Sequence, residues 1–122
     1  MTGARRPTDA ESLAATPTDL TLADVLEAAA DETDGVDQGR DGDATTFAAG
    51  MPRTVFATLI GDRAEFHLDP LVARAALRTP GTSPSPRGGD WVTFAPDVVD
   101  DGAVDRAEAW FLSASRRAAT PS

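Results

Sequence analysis

The sequence has 122 residues, of which 41% are hydrophobic, and a formal net charge of −9. That length suits one domain with a modest core. The absence of cysteine excludes a disulfide framework, thiolate metal sites and a cysteine nucleophile. A single histidine argues against a zinc site built on imidazoles, so we expect no metal and no cofactor.

The sequence shows no sign of a membrane or export signal. No apolar run approaches the length of a membrane span, and the arginines near the start are not followed by a hydrophobic stretch. We therefore expect a cytoplasmic protein that does not associate with membranes.

The charge is unevenly distributed along the chain. All 11 basic residues are arginine; residues 1–52 hold 11 acidic residues and 3 arginines, and residues 53–122 hold 9 and 8. A high-GC genome and a surface adapted to high salt would each produce this bias. Because an acidic chain repels phosphate, the net charge gives no support to nucleic-acid binding.

The first predicted elements are a tail, a helix and an acidic segment. Residues 1–18 are polar and aperiodic, which predicts a disordered tail. An apolar stripe from Leu22 predicts a helix capped by Thr21 and Asp24. Residues 31–43 resemble a calcium loop, but Gly39 and Ala48 stand where two ligands are required. A solvated loop is the preferred interpretation.

Residues 53–68 predict a β-hairpin, because two alternating runs flank Gly61-Asp62. Residues 45–50 suggest a short preceding strand. The turn sets the cross-strand neighbours: Leu59 with Ala64, Ala57 with Phe66 and Val55 with Leu68 on one face; Ile60 with Arg63, Thr58 with Glu65 and Phe56 with His67 on the other. On this prediction His67 is either a general base beside Asp69 or a structural neighbour of Phe56 on the outer face.

A second helix is predicted from Asp69-Pro70 to about Arg78. Its apolar face is expected to consist of Leu71, Val72, Ala75 and Ala76. Arg74 and Arg78 lie one turn apart on the opposite side, where they form either an anion clamp or a solvated stripe.

The connection at residues 79–90 is long for a compact domain and contains three prolines. Arg87, followed by Gly88 and Gly89, could present a guanidinium and open amides to an anion, with Trp91 as a stacking wall. The alternative is that this loop only returns the chain across the sheet and that Trp91 covers an edge of the core.

The last elements are a strand at residues 91–95 and a helix after Asp100-Asp101, with a tail at residues 119–122. The final helix carries an apolar stripe: Val104, Ala107, Phe111, Ala114 and Ala118, widened by Trp110 and Leu112. Residues 19–118 are thus predicted to form one two-layer α+β domain. A small antiparallel sheet, made of the hairpin and a later strand, is covered by about three helices.

The hairpin with its following helix (VFATLIGDRAEFHLDPLVARAAL), the DWVTFA strand and the closing helix (VDRAEAWFLSASRRAA) resemble the MmcQ/YjbR family. The resemblance covers roughly residues 20–118. It implies a small α+β fold of frataxin-like appearance that is often labelled DNA-binding, with no established set of catalytic residues.

Three functions follow as hypotheses. The first is a non-catalytic binding or interaction domain that takes a small anion or a protein partner at Arg74, Arg78, Arg87 and Trp91. The second is nucleic-acid binding, which rests on the family resemblance and the arginines. The third is an enzyme that uses His67 with Asp69 or Glu65; the sequence offers no nucleophile, phosphate loop or metal cluster to complete such a site.

Overall fold

The computed structural model describes residues 20–120. Its helices are α1 (Leu22–Glu32), α2 (Pro70–Ala76) and α3 (Asp101–Ala119). Its strands are β1 (Asp37–Asp41), β2 (Ala44–Ala49), β3 (Thr54–Ile60), β4 (Arg63–His67), β5 (Thr82–Pro84) and β6 (Trp91–Phe94). The strands form one antiparallel sheet in the order β1-β2-β3-β4-β6-β5. The predicted α+β class is confirmed, but the sheet has six strands and is larger than the predicted hairpin with one later strand. The predicted tail at residues 1–18 lies outside the described residues.

Both long helices begin where the sequence predicts. Thr21 Oγ1 accepts from the Asp24 amide, and the Asp24 carboxylate accepts from the Thr21 amide, which completes a capping box. Asp100 caps α3 by accepting from the Ala103 amide at 2.8 Å. Helix α1 packs on α3, and α3 packs on β2, β3 and β4, so the core lies on one face of the sheet.

The core is centred on Phe111 of α3. Its ring makes edge-on contacts with Phe47 and Phe56 at centroid distances of 5.3 and 5.1 Å. Trp110 lies beside it against Phe66 and Phe94, as expected for a core residue. The other four phenylalanines lie on four adjacent strands, β2, β3, β4 and β6, so α3 packs across the middle of the sheet.

The predicted hairpin register is confirmed for four pairs: Ala57 with Phe66, Thr58 with Glu65, Leu59 with Ala64 and Ile60 with Arg63. Gly61 opens the turn at φ 59°, a value that glycine adopts without strain.

The predicted faces of Phe56 and Val55 are wrong, because β3 contains a bulge. Phe47 pairs with Ala57 and Ala48 with Val55, which leaves Phe56 as an extra residue. The bulge turns Phe56 into the core, where it is 1% exposed, and leaves Val55 on the outer side at 40%.

Two predicted loops contain strands. The acidic segment holds β1, whose five residues are all exposed, so its sequence has no apolar alternation to reveal it. The connection at residues 79–90 holds β5, which forms a hairpin with β6. The preceding strand suggested at residues 45–50 is confirmed as β2.

The predicted apolar face of α2 is wrong in part: Ala76 is buried and Val72 packs partly buried against the core as predicted, but Leu71 and Ala75 are exposed. The helix buries Ala73 and Ala76, whereas Leu71 is 74% exposed. Because Leu68 is fully buried just before the Asp69-Pro70 entry, the orientation of this short helix is set by how the chain enters it. Burial of the largest side chains of α2 does not determine that orientation.

Among residues 20–120, no helix combines the length and apolarity needed to cross a bilayer.

Candidate functional site

The outer face of the sheet, opposite the packed helices, carries a polar row. Thr58 pairs with Glu65 and Glu65 pairs with Thr93, so the three side chains stand side by side on β3, β4 and β6. Thr46 and Ser83 extend the row toward the two edges. The row places a carboxylate at its centre, between neutral hydroxyl side chains.

Glu65 is the hub of this row. Ser85 Oγ donates to its Oε2 at 2.6 Å, Thr58 Oγ1 to its Oε1 at 3.1 Å, and Arg87 Nε to its Oε1 at 2.9 Å. Thr93 Oγ1 lies 3.4 Å from Oε2. Burial alone would raise the pKa of Glu65, but the hydrogen bonds from Ser85, Arg87 and Thr58 outweigh it and lower that pKa. The carboxylate is therefore ionised and fixed.

Arg87 is held by this carboxylate at the rim of the site. Its backbone amide donates to Ser85 Oγ at 3.1 Å, and the Ser85 amide donates to the Trp91 carbonyl. The turn between them contains Gly88 and Gly89, both at positive φ. As a result the guanidinium lies over the Trp91 ring, 4.9 Å from its centroid.

Trp91 is the cross-strand neighbour of His67, and the two rings stack at 5.0 Å with an interplanar angle of 5°. His67 Nδ1 lies 3.3 Å from Arg117 Nη1 of α3. Since a guanidinium only donates, Nδ1 accepts, and neutral His67 carries its proton on Nε2. Arg117 Nε also contacts the carboxylate of Asp69 at 3.4 Å.

The surroundings lower the pKa of His67. Burial is the main cause, and the positive charge of Arg117 adds to it; Asp90 and Asp69 act in the opposite direction without reversing the shift. The imidazole is therefore neutral at pH 7.

Stability is expected to fall in two steps on acidification. Below the ordinary histidine pKa of 6.5, the unfolded chain binds a proton more readily than folded His67, so stability is lost as pH falls toward the folded pKa. The stabilisation from Glu65 is present above the ordinary glutamate pKa of 4.5 and is lost as pH falls through its lower folded pKa. Urea unfolding across this range measures both steps.

The matched variants separate the two groups. His67→Gln should remove the upper step only, and Glu65→Gln the lower step only. An unfolding free energy for the wild type that stays constant between pH 7 and 5 would contradict the assignment to His67.

The structure brings together two of the four predicted site residues, Arg87 and Trp91. Arg74 lies exposed on α2 and Arg78 lies exposed just beyond its C-terminal end, and no hydrogen bond, ion pair or ring contact between described residues joins them to that pair. Sequence reasoning missed Ser85 and Arg117. It considered His67 either as a general base with Asp69 or Glu65 or as a structural neighbour of Phe56, and it placed neither His67 nor Glu65 in the anion site.

The described part of the chain offers no set of side chains suited to binding a metal ion. Among residues 20–120, no group of three or more histidine, aspartate or glutamate side chains could hold a metal ion. The segment that resembled a calcium loop is strand β1 and its turn. His67 is bonded to Arg117 rather than to a hydroxyl, so it has no nucleophile to activate within the described residues.

Fold and site together define a class: an α+β domain with helices on one face of an antiparallel sheet and an ordered polar array on the other. No family model matches the chain, and no curated protein matches it. The fold is similar to the crystal structure of a protein from Pseudomonas syringae solved by the Northeast Structural Genomics Consortium. The TM-score is 0.61 at 11% identity, over 81% of this chain and 99% of the other. At that identity the likeness concerns the fold alone.

Proposed function

We propose that the protein is a cytoplasmic, non-catalytic binding domain that takes a carboxylate- or phosphate-bearing anion, free or presented by a protein, on its outer sheet face. The contacts are made by Arg87, Trp91 and His67 of that face, together with Arg117, which reaches His67 from α3. These four side chains are called the donor array below. One observation carries the proposal: every polar group that the array leaves open is a hydrogen-bond donor.

The donors can be named atom by atom. Arg87 uses Nε for Glu65, and its two terminal nitrogens make no hydrogen bond to another described residue. His67 Nε2 and Trp91 Nε1 likewise have no partner among residues 20–120. A ligand rich in acceptor oxygens fits such a surface.

The site has no excess of positive charge, because both guanidinium groups are paired and Asp90 adds a further carboxylate near His67. Recognition of an anion would therefore depend on the direction of the donors and not on net charge. Glu65 offsets Arg87, and Asp69 offsets Arg117. An anion therefore meets fixed donors without a strong attractive field. The proposal accordingly predicts binding that weakens only modestly with salt.

Nucleic-acid binding, which the MmcQ/YjbR resemblance suggests, is the weaker alternative. Base-stacking proteins need free aromatic faces and a positively charged groove. Here Trp91 and His67 stack on each other, Arg87 covers Trp91, and the basic groups are paired with carboxylates. The family kinship itself remains a proposal supported by the hairpin, the Asp-Pro helix entry and the closing helix.

Titration with inorganic phosphate and malonate, followed by the indole NH signal of Trp91, tests the proposal. We expect that signal to shift, and we expect Arg87→Ala to weaken binding at least about tenfold, as for a lost charge-assisted contact. The matched control is the double variant Arg74→Ala/Arg78→Ala, which removes two exposed arginines and should bind as the wild type does.

The two sources of the anion give different results. A shift with phosphate or malonate alone indicates a free anion, and a shift only with acidic or phosphorylated peptides indicates an anion presented by a protein. No shift with any of these, or equal weakening by the control, would refute the donor array as the binding site.

A further inference from the structure

The two edges of the sheet differ in what they leave unpaired. On β5, the Gly81 carbonyl and the Ser85 amide point toward β6, since they bond Ala95 and Trp91. Because the backbone N–H and C=O groups of successive residues in a strand point to opposite sides, those of Thr82 and Pro84 point away from β6. The Thr82 amide is already bonded to the Thr79 carbonyl at 3.3 Å, and proline has no N–H. The β5 edge therefore offers no backbone donor to another strand.

The β1 edge is open. Asp41 pairs with Ala44 across the two-residue turn Gly42-Asp43, and such a closing pair is hydrogen-bonded. The hydrogen-bonded pairs therefore involve Asp37, Gly39 and Asp41, and the N–H and C=O groups of Gln38 and Arg40 point away from the sheet. No bond from these groups to another described residue is present.

The two acidic side chains of β1 lie on the same face of the sheet. Asp37 and Asp41 stand on the outer face, two residues either side of Gly39, and all five residues of β1 are exposed. Asp37 also contacts Arg53 Nη1 at 2.8 Å in an exposed ion pair, so an incoming basic residue shares Asp37 with Arg53, whereas no ion pair between described residues involves Asp41. Pairing with a second copy centred on Gly39 would set Asp37 opposite Asp41 twice, which opposes self-association. The same repulsion selects a partner of opposite charge.

We infer that the β1 edge is a peptide-binding site that accepts an extended segment with a basic residue at every second position, added as a seventh strand. Backbone groups of Gln38 and Arg40 hold the segment, and its alternate side chains meet Asp37 and Asp41. This site is separate from the donor array, so neither proposal depends on the other.

Two peptides of one composition test the inference. The hexapeptide Arg-Thr-Arg-Thr-Arg-Thr places its arginines on one face of a strand, and Arg-Arg-Arg-Thr-Thr-Thr does not. With an isotope-labelled protein, we expect the alternating peptide to shift the amides of Gln38 and Arg40 and to slow their hydrogen exchange. The block peptide should bind at least about threefold more weakly, because it has no two arginines four residues apart and in any one register can face only one of the two aspartates.

A pair of variants at one position isolates the backbone contact. Arg40→Pro removes an outward N–H and should weaken binding about fivefold, as for one lost hydrogen bond. Arg40→Ala removes the same guanidinium but keeps the N–H, so it should bind at least as well as the wild type. Signals from β2 to β6 check that Arg40→Pro retains the fold.

Either of two results would overturn the inference. One is equal binding of the two peptides, which would mean that charge alone attracts them. The other is unchanged exchange at Gln38 and Arg40 in the wild-type protein with peptide present; this readout holds even where Arg40→Pro disturbs β1.

Discussion

Replacing Phe111 by alanine is expected to cost about 3–5 kcal/mol of unfolding free energy, the range for emptying a buried aromatic site. Phe111 is 0% exposed and contacts Phe47 and Phe56, which lie on two neighbouring strands. A domain of this size has about 5–15 kcal/mol of stability, so the variant should unfold at a much lower urea concentration.

Leu71→Ala is the matched control for this variant. It also shortens a large apolar side chain on a helix, but Leu71 is 74% exposed and should cost no more than about 0.5 kcal/mol. Similar losses for the two variants would contradict the placement of Phe111 at the centre of the core.

The second large effect is expected for Glu65→Ala, at about 2–4 kcal/mol. The change removes the acceptor shared by Ser85, Thr58 and Arg87, and it leaves buried hydroxyls without their partner. The loss of Arg87 from its position over Trp91 should also weaken anion binding. Urea unfolding and the phosphate titration measure the two consequences separately.

Glu27→Ala provides the comparison, since Glu27 is an exposed glutamate on α1. It should change stability by no more than about 0.5 kcal/mol and leave anion binding unaltered. If Glu65→Ala proves equally mild, the hydroxyl groups have found other acceptors and Glu65 does not organise the site. A Glu65→Ala protein that is destabilised but binds phosphate normally would show that Arg87 is positioned without it.

The parts of the fold that could be predicted from the sequence are those encoded locally. Gly61-Asp62 sets its own hairpin register, and Thr21 with Asp24 closes a capping box within one turn. The stripe of α3 repeats over about four turns, enough to identify its buried face.

The missed features depend on residues distant in sequence, or on polar edges. Strand β1 exists because β2 offers a free edge, and its own residues carry no alternation. The bulge at Phe56 is decided by the register of β2 against β3, which the hairpin sequence does not contain.

The candidate site divides in the same way. Arg87 and Trp91 belong to one short turn, so their proximity could be predicted from the loop alone. Glu65 reaches that turn only when β4 pairs with β6, and Arg117 arrives from the last helix. The one available signal was a carboxylate in mid-strand opposite Thr58, a position where a charge needs partners.

The strand order has a kinetic consequence. Every neighbouring pair in the sheet is a hairpin of consecutive strands except β4 with β6. That single non-local strand pairing requires residues 68–90 to be closed into a loop before it gains any pairing energy, so the entropy of that closure should slow assembly of the sheet. Shortening the segment after α2 would speed the formation of the β4–β6 pairing. Lengthening one of the hairpin turns would add a second slow loop closure, because the other strands pair with their neighbours in sequence.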